Sequence, residues 1–234
     1  MSRLSLAIPV FAVAFAVVFI SPPLLGQPFS LYPLMKMGDA VDLLSPLVLI
    51  PLYWALFQLG SKKPPSMAAS LVFAFLAALW VEGQGMHLSA NSIGHHLKTM
   101  NASDASALTG FYDEVLSHYL WHLGVMGFSV LLMVRQWRQP LADEQPEWRL
   151  ASAAGLIYGF AYFAIVVEGQ TGLLGVPFAA LAALLGLSVG RKRLRQQPLL
   201  TFFVVSYWVA VIFFVAWAAY WQGLPEFSQV GIID

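Results

Sequence analysis

The chain has 234 residues, of which 59% are hydrophobic and only 10% are charged. Because a typical soluble domain is about 25% charged, this composition excludes a disordered chain, a nucleic-acid-binding protein and a soluble enzyme. Twelve basic residues balance twelve acidic ones, so the net charge favours no partner. The absence of cysteine excludes disulfides, iron–sulfur clusters, thiolate metal ligands and cysteine nucleophiles. An integral membrane protein remains, and the lipid bilayer is its expected partner.

Seven stretches of the sequence are long and apolar enough to cross a membrane as helices, since a span needs about 20 mostly apolar residues. They lie near 4–20, 40–60, 67–88, 112–134, 149–168, 171–190 and 199–221. Segments that contain proline or glycine separate most of them. The sequence therefore predicts an all-α membrane protein in which residues 1–234 form a single bundle of seven transmembrane helices.

The basic residues predict the orientation of these spans. Ten of them fall on the side shared by the N-terminus and the second, fourth and sixth loops: Arg3, Lys62, Lys63, Arg135, Arg138, Arg149, Arg191, Lys192, Arg193 and Arg195. Only Lys36 and Lys98 fall on the other side. Because cytoplasmic loops are rich in Lys and Arg, we expect a cytoplasmic N-terminus and an external C-terminus. The Arg191–Arg195 cluster is then a cytoplasmic loop. Short loops and the lack of cysteine favour a bacterial inner membrane.

The histidines and most acidic residues fall at the opposite, external end. All five histidines lie within one stretch of 36 residues: His87, His95, His96, His118 and His122. Nine acidic residues lie at or near the same side: Asp39, Asp42, Glu82, Asp104, Asp113, Glu114, Glu168, Glu226 and Asp234. Ionisable groups at membrane depth are costly and mark functional sites, so we expect the protein to act at the outer leaflet.

The third span carries polar residues to the outer part of the membrane. From Ser66, a helix that rises 1.5 Å per residue reaches Glu82 after about 24 Å. His87 follows near the outer interface. If the helix continues beyond it, Glu82, Ser89 and His96 share one face at seven-residue spacing.

The fourth span carries two histidines one helical turn apart. Thr109 is its expected N-cap. Glu114, His118 and His122 follow at i, i+4 and i+8, which on an α-helix gives a single stripe. Two imidazoles at this spacing can chelate one metal ion, and a carboxylate one turn away can supply a third ligand or orient a histidine.

A four-residue motif occurs twice at the same predicted depth. Val-Glu-Gly-Gln occupies 81–84 near the end of the third span and 167–170 at the end of the fifth. Both spans run in the same direction, so the motif predicts that Glu82 and Glu168 lie at similar depth, within reach of the histidines.

The combination of histidines and carboxylates predicts a site for a divalent metal ion. Zinc is favoured and iron is the alternative, because imidazole and carboxylate ligands without cysteine suit both. The expected ligands come from the third and fourth spans: His87, His118, His122, Glu114 and His96.

A zinc ion in this setting predicts hydrolytic chemistry. The ion lowers the pKa of a bound water, and a nearby carboxylate acts as general base, a role that suits Glu82 or Glu168. Ser89 is a candidate hydrogen-bond donor. The expected reaction is hydrolysis of an ester or amide in a lipid-like substrate that enters from the outer leaflet, and we interpret the chain as an enzyme of this kind.

Other interpretations use the same residues. Two iron ions bridged by Glu82 and Glu168 would give a membrane oxidase or desaturase. A haem between His87 and His118 would leave the carboxylates without a role. A metal or proton transporter would need polar residues towards the cytoplasmic side, where the spans are almost wholly apolar. A polar network that only holds helices together remains the non-catalytic interpretation.

One motif order resembles that of a known family. Five residues occur in this order: Ser92, His96, Asp113, His118 and His122. This order is similar to that of the CREST-type membrane hydrolases, a seven-helix family that includes alkaline ceramidases and progestin/adiponectin-receptor-like proteins. The resemblance implies zinc-dependent hydrolysis. In that family the His-x-x-x-His pair lies on the last helix, whereas here it lies on the fourth predicted span.

The segment between the first two spans is too interrupted to cross the membrane. Residues 21–38 contain four prolines among several leucines. We expect this segment to lie along the outer interface as a lid that admits substrate from the lipid.

Overall fold

The computed structural model describes residues 2–97, 103–141, 147–190, 194 and 197–233, and it is 80% helical. Eight α-helices follow in chain order: α1 Arg3–Ile20, α2 Met37–Leu59, α3 Met67–Leu97, α4 Asp104–Gly110, α5 His118–Arg138, α6 Trp148–Glu168, α7 Gly172–Gly190 and α8 Pro198–Trp221. A π-helical segment, Phe111–Ser117, joins α4 to α5. Between α1 and α2 lie a 3₁₀ turn and a hairpin: Pro22–Leu24, β1 Pro28–Phe29 and β2 Tyr32–Lys36.

Six helices are long and apolar enough to cross a membrane. They are α1, α2, α3, the continuous helix Asp104–Arg138, α6 and α8. These helices coincide with six of the seven predicted spans, and the all-α membrane-type fold is confirmed. The remaining prediction, the sixth span at 171–190, corresponds to α7, whose apolar stretch Gly172–Ser188 is shorter. The basic residues of the predicted cytoplasmic loop (Arg191, Lys192, Arg193 and Arg195), Lys98 and Asp234 lie outside the described residues.

Helix α3 continues nine residues beyond the end of its predicted span, to Leu97. The predicted N-cap at Thr109 is wrong. The helix begins earlier, at Asp104, because the Ser103 hydroxyl accepts a hydrogen bond from the Ser106 amide at 3.2 Å. Thr109 lies inside the helix, and its hydroxyl donates to the Ala105 carbonyl at 2.8 Å.

Six helices pack side by side in a ring. Proceeding around it, α1 contacts α2, which contacts α3, then α5, α8 and α6, and α6 returns to α1. Helix α7 packs chiefly against α8. Consecutive spanning helices along the chain run in opposite directions, so one end of the ring carries the starts of α1, α3, α6 and α8. We call this the basic end, because Arg3, Arg135, Arg138 and Arg149 lie near it, and we call the opposite end the histidine end.

Aromatic side chains fill the centre of the ring. The rings of Tyr53 and Phe128 stack at 4.7 Å, and Phe11 lies edge-on to Tyr53 at 4.5 Å. The hydroxyl groups of Tyr53 and Tyr158 are hydrogen-bonded at 3.0 Å. All four side chains are fully buried. This packing separates the two polar ends of the bundle.

At the basic end, long polar side chains from α5 satisfy backbone groups of neighbouring helices. The Arg135 guanidinium donates from Nε to the Phe57 carbonyl at 3.0 Å and lies over the Phe57 ring at 4.8 Å. The Gln136 carbonyl oxygen accepts from the Leu200 amide at 3.0 Å. Unpaired backbone groups at helix ends are costly, so these contacts fix where α2 ends and α8 begins relative to α5.

Close packing of α6 against α8 requires glycine at 159. A Cβ there would lie 2.3 Å from the Ser206 carbonyl oxygen and 2.8 Å from the Val209 Cβ. Neither atom can move without its helix, so Gly159→Ala should lower the free energy of unfolding by about 1–3 kcal/mol. Thermal unfolding in detergent micelles measures this loss. Gly85→Ala is the control, because no atom lies within 4 Å of its new Cβ; equal losses in both variants would contradict the packing argument.

Candidate metal site at the histidine end

The π-helical segment decides which acidic residue faces the histidines. In a π-helix the backbone bonds from i to i+5, so residues five apart share a face. Asp113, five residues before His118, is buried at 7% exposure, whereas Glu114 is exposed. The predicted stripe assumed regular α-helical spacing, which favoured Glu114. The structure instead places Asp113 on the side of the histidine.

Asp113 holds the imidazole of His87 on the neighbouring helix. Their Nδ1 and Oδ1 atoms are 2.8 Å apart, which is an ion-pair distance, but neither atom makes a hydrogen bond of good geometry. The other ring nitrogen, Nε2, faces the Asp42 carboxylate of α2 at 4.0 Å. His87 therefore lies between two carboxylates, and Asp113 is the closer of the two.

His118 and His122 lie beside this arrangement on α5. The ring centroids of His87 and His118 are 4.8 Å apart, and those of His118 and His122 are 6.3 Å apart. His122 is fully buried, and neither of its ring nitrogens has a hydrogen-bond partner among the described residues. The His118 Nδ1 atom is buried and unpartnered in the same way. Buried polar atoms of this kind are rare in folded proteins and point to a missing partner.

Stacked aromatic rings fix the orientation of His122. The Trp121 indole stacks on the His122 ring at 3.8 Å and on the Phe19 ring at 5.0 Å. Because α1 supplies Phe19, this stack ties the histidine pair to the far side of the ring of helices. The His122 ring is therefore packed against the aromatic side chains of Trp121 and Phe19.

The two copies of Val-Glu-Gly-Gln do meet the histidine helix, but through their glycines. A Cβ at Gly83 would lie 2.7 Å from the Ser117 carbonyl oxygen, and a Cβ at Gly169 would lie 2.9 Å from Cε1 of His122. Adjacent residues on a helix point about 100° apart, so a glycine that faces α5 turns the preceding glutamate away. The predicted common depth of the two motifs agrees with this arrangement.

The predicted catalytic residues therefore lie around the cluster rather than within it. Glu82 is exposed on the surface of α3, and Ser89, also exposed, donates to the Gly85 carbonyl at 2.9 Å. The Glu168 carboxylate accepts from the Phe227 amide at 2.8 Å, which fastens the C-terminal tail. Among the described residues, no hydrogen bond or ion pair joins these three side chains to a histidine.

A second acidic residue organises the start of α2. Asp39 is buried, and it accepts from the Lys36 amide at 3.1 Å, from Asn91 at 3.2 Å and from the Ser92 hydroxyl at 2.9 Å. These bonds tie α2 to α3 and set the position of Asp42 one turn further along. Ser92, which the family resemblance associates with the metal-binding histidines, is engaged here instead.

The segment predicted as a lid folds as the hairpin at the histidine end. The Gly38 amide donates to the Leu25 carbonyl at 2.9 Å, which anchors the hairpin to the first turn of α2. The His96 ring contacts the Leu34 carbonyl through Nε2 at 3.0 Å, so this predicted metal ligand lies against the hairpin. The role of the hairpin as a lid stays a prediction.

The distances between the imidazole rings indicate which histidines could bind the same metal ion. Two imidazoles on one tetrahedral zinc ion, with Zn–N bonds of about 2.1 Å, have ring centroids about 5 Å apart. The separation of 4.8 Å between His87 and His118 matches this value, whereas 6.3 Å between His118 and His122 exceeds it. Across the described ranges, no three His, Asp or Glu residues are already arranged around a common point. Binding would therefore require rotation of at least one side chain.

Sequence reasoning missed the positions of Asp42 and Asp113 in this site. Asp42 was signalled only as one of the acidic residues at the histidine end, whereas Asp113 also belongs to the motif order that resembles the CREST-type hydrolases. The contact between Gly169 and the histidines was not predicted either, because the sequence analysis assigned the function of the Val-Glu-Gly-Gln motif to its glutamate.

Gly169→Ala tests the contact directly. Its Cβ would lie 2.8 Å from the Ile165 carbonyl oxygen and 2.9 Å from the His122 ring, so the ring must move. We expect a loss of zinc affinity of about tenfold, as for other residues that orient metal ligands. Competition with a chromophoric chelator measures it. Gly110→Ala should change nothing, because its Cβ meets no atom within 4 Å.

No protein-family model matches the chain, and no curated protein or solved structure matches it significantly. The function of the chain is therefore inferred from the geometry of the histidine end.

Proposed function

We propose that the chain is a membrane-embedded, metal-dependent hydrolase whose zinc ion is bound between Asp42, His87 and His118. Its substrate is a lipid-like ester or amide that enters from the outer leaflet. The single observation that carries the proposal is the position of the His87 ring between the carboxylates of Asp113 and Asp42.

Each part of this arrangement has a role in metal sites. A histidine ligand usually donates its second ring nitrogen to a carboxylate, which fixes its tautomer and orientation, and Asp113, 2.8 Å from His87 Nδ1, is the carboxylate at the right distance for this role. The gap of 4.0 Å between His87 Nε2 and Asp42 is too long for a hydrogen bond. Two atoms that both bind one zinc ion at about 2.1 Å lie about 3.4–4.2 Å apart, so an ion fits this gap.

Charge supports the same assignment. Asp42 and Asp113 flank one imidazole in a weakly polar environment, where like charges repel strongly. A divalent cation removes this repulsion and gives the buried nitrogen of His118 a partner. His122, behind His118, reaches the ion by a change of rotamer and is the fourth candidate ligand.

The ion would supply a water of lowered pKa for attack on a carbonyl carbon. The chain's own residues orient the site: Asp113 aims His87, and Asp39 positions Asp42 through α2. Glu168 is the nearest of the predicted bases along the chain, since it precedes Gly169, which touches the histidines. It would act as general base after release of the Phe227 amide.

The alternatives receive less support. Glu82 is exposed and Glu168 bonds to the tail, so the two do not bridge a di-iron centre. A separation of 4.8 Å between the rings of His87 and His118 leaves no room for a porphyrin. The aromatic centre around Tyr53 and Phe128 argues against a transport path.

The same proposal includes seven spans and an outward-facing site in a bacterial inner membrane. Helices α6 and α8 both run from the basic end to the histidine end. Helix α7 would therefore return between them, as the sixth of seven spans in chain order. The basic end lies in the cytoplasm because Lys and Arg accumulate there. Reporter fusions in the 191–195 loop should read cytoplasmic.

Turnover of a lipid substrate tests the proposal. Purified protein in mixed micelles should release fatty acid from diacyl phospholipid or N-acyl sphingoid substrates. A strong chelator should abolish release, and one equivalent of Zn²⁺ should restore it. Release that persists in the chelator would contradict a metal-dependent mechanism, and restoration by iron with reductant alone would favour the oxidative alternative.

A further inference from the structure

A groove of about 500 Å³ lies between the end of α6, the first half of α7 and the C-terminal tail, residues 222–233. We call it the tail groove. Its walls are apolar and include Leu173, Val176 and Leu224, while Gln170 and Glu226 line its polar end. Leu173 is 88% exposed and Leu224 is 37% exposed. The volume falls within the usual range of sites for small molecules, about 300–1,000 Å³.

The polar end of the groove is negatively charged. The Glu226 carboxylate accepts hydrogen bonds from the side-chain amides of Gln170 and Gln229 and from the Ser228 hydroxyl. Burial raises the pKa of Glu226, and the nearby Glu168 carboxylate adds to the rise. No ion pair from Lys, Arg or His to either glutamate occurs within the part of the chain that the structure describes. A cationic group is the chemistry that this end lacks.

The backbone beside the groove is held in an unusual conformation. Gln170, two residues after the end of α6, and Gln222, directly after α8, are the two non-glycine residues with positive φ in the described ranges, at 51° and 56°. Glycine is the usual residue in this left-handed region, because a residue with a side chain is strained there. At Gln170 the side chain gives a reason for that strain, because it reaches Glu226.

The wall formed by the tail is firmly attached. The Phe227 amide donates to Glu168 at 2.8 Å, and the Trp217 indole donates to the Pro225 carbonyl at 3.0 Å. The rings of Trp217 and Phe227 lie 4.9 Å apart. The tail segment therefore bounds one side of the groove at the histidine end of the bundle, beyond the ends of α6 and α8.

We infer that the tail groove binds one hydrocarbon chain of an amphiphile with a positively charged amine headgroup, the amine at Glu226. The chain would cover Leu173 and Leu224, and the ammonium would donate to the carboxylate. The groove shares no lining residue with the proposed zinc ligands Asp42, His87 and His118, and Glu168 is the residue that connects the two sites. Lipid retention and hydrolysis are measured separately, so failure of one proposal can be told from failure of the other.

Native mass spectrometry of lipids retained on purified protein tests this site. The probes are an equimolar mixture of phosphatidylethanolamine and phosphatidylglycerol with identical chains. We expect one phosphatidylethanolamine to be retained in preference, by about fivefold, as suits a partly exposed ion pair. Glu226→Gln should remove the preference. Gln170→Gly should reduce it while the melting temperature is kept or raised, because glycine relieves the backbone conformation.

The matched control is Asp104→Asn, which removes an exposed carboxylate at the same end of the molecule. A second arm offers dodecylamine against dodecanol. Selective binding of dodecylamine without phosphatidylethanolamine would identify a free amine amphiphile rather than a bilayer lipid as the ligand. Equal retention of both lipids together with no preference for dodecylamine would overturn the inference, as would an equal effect of Asp104→Asn and Glu226→Gln.

Discussion

Replacing His87 by alanine is expected to weaken zinc binding at least about 100-fold and to abolish hydrolysis. The residue joins both carboxylates of the proposed site, since Asp113 lies 2.8 Å from one ring nitrogen and Asp42 lies 4.0 Å from the other. His118→Ala should have an effect of similar size, because its ring is the one at zinc-sharing distance from His87. Chelator competition measures the affinity, and fatty acid release measures the activity.

The control for these variants is His96→Ala. The His96 ring contacts the Leu34 carbonyl on the hairpin, so its removal should leave zinc affinity unchanged within about twofold. Melting temperatures of all three variants must be compared, since loss of a bound metal itself lowers stability. If His87→Ala and His118→Ala both keep full metal content and full activity, the ligand assignment is wrong.

Asp113→Asn should lower zinc affinity about 10–100-fold, whereas Glu114→Gln should leave it nearly unchanged. The two residues are adjacent, and both lose one negative charge without a change of size. Asp113 lies 2.8 Å from the His87 ring because the π-helical segment turns it inwards, whereas Glu114 is left exposed. The same zinc competition assay compares the pair.

This comparison distinguishes the π-helical geometry from regular α-helical spacing. A regular helix would place Glu114 one turn before His118, and the larger loss would then belong to Glu114→Gln. Equal, small effects of both substitutions would mean that neither carboxylate orients a metal ligand.

The sequence could predict the features that depend on the hydrophobicity and length of a whole helix. Apolar length located the spans, and helical periodicity placed His118 and His122 on one side of the fourth span. Shared depth brought both Val-Glu-Gly-Gln motifs to the histidine helix. Each of these depends on the rise and pitch of a helix, which vary little with side-chain detail.

The features that sequence missed depend on rotation rather than depth. The wider π-helical turn at 111–117 directs Asp113, rather than Glu114, towards the histidines. In the two Val-Glu-Gly-Gln motifs, a rotation of about 100° along the helix directs Gly83 and Gly169, rather than the glutamates, towards α5. Asp39 and Asp42 were counted among the acidic residues, but their contacts depend on how α2 packs against α3. Such rotations are set by tertiary contacts that no single segment encodes.

The metal content of the purified wild-type protein tests the central claim most directly. Protein isolated without chelators and dialysed against metal-free buffer should retain one equivalent of zinc per chain by inductively coupled plasma mass spectrometry. Two equivalents of iron would replace the proposed centre by a di-iron site. A folded protein that holds no metal, and takes up none when supplied with Zn²⁺, would contradict the account of the histidine end.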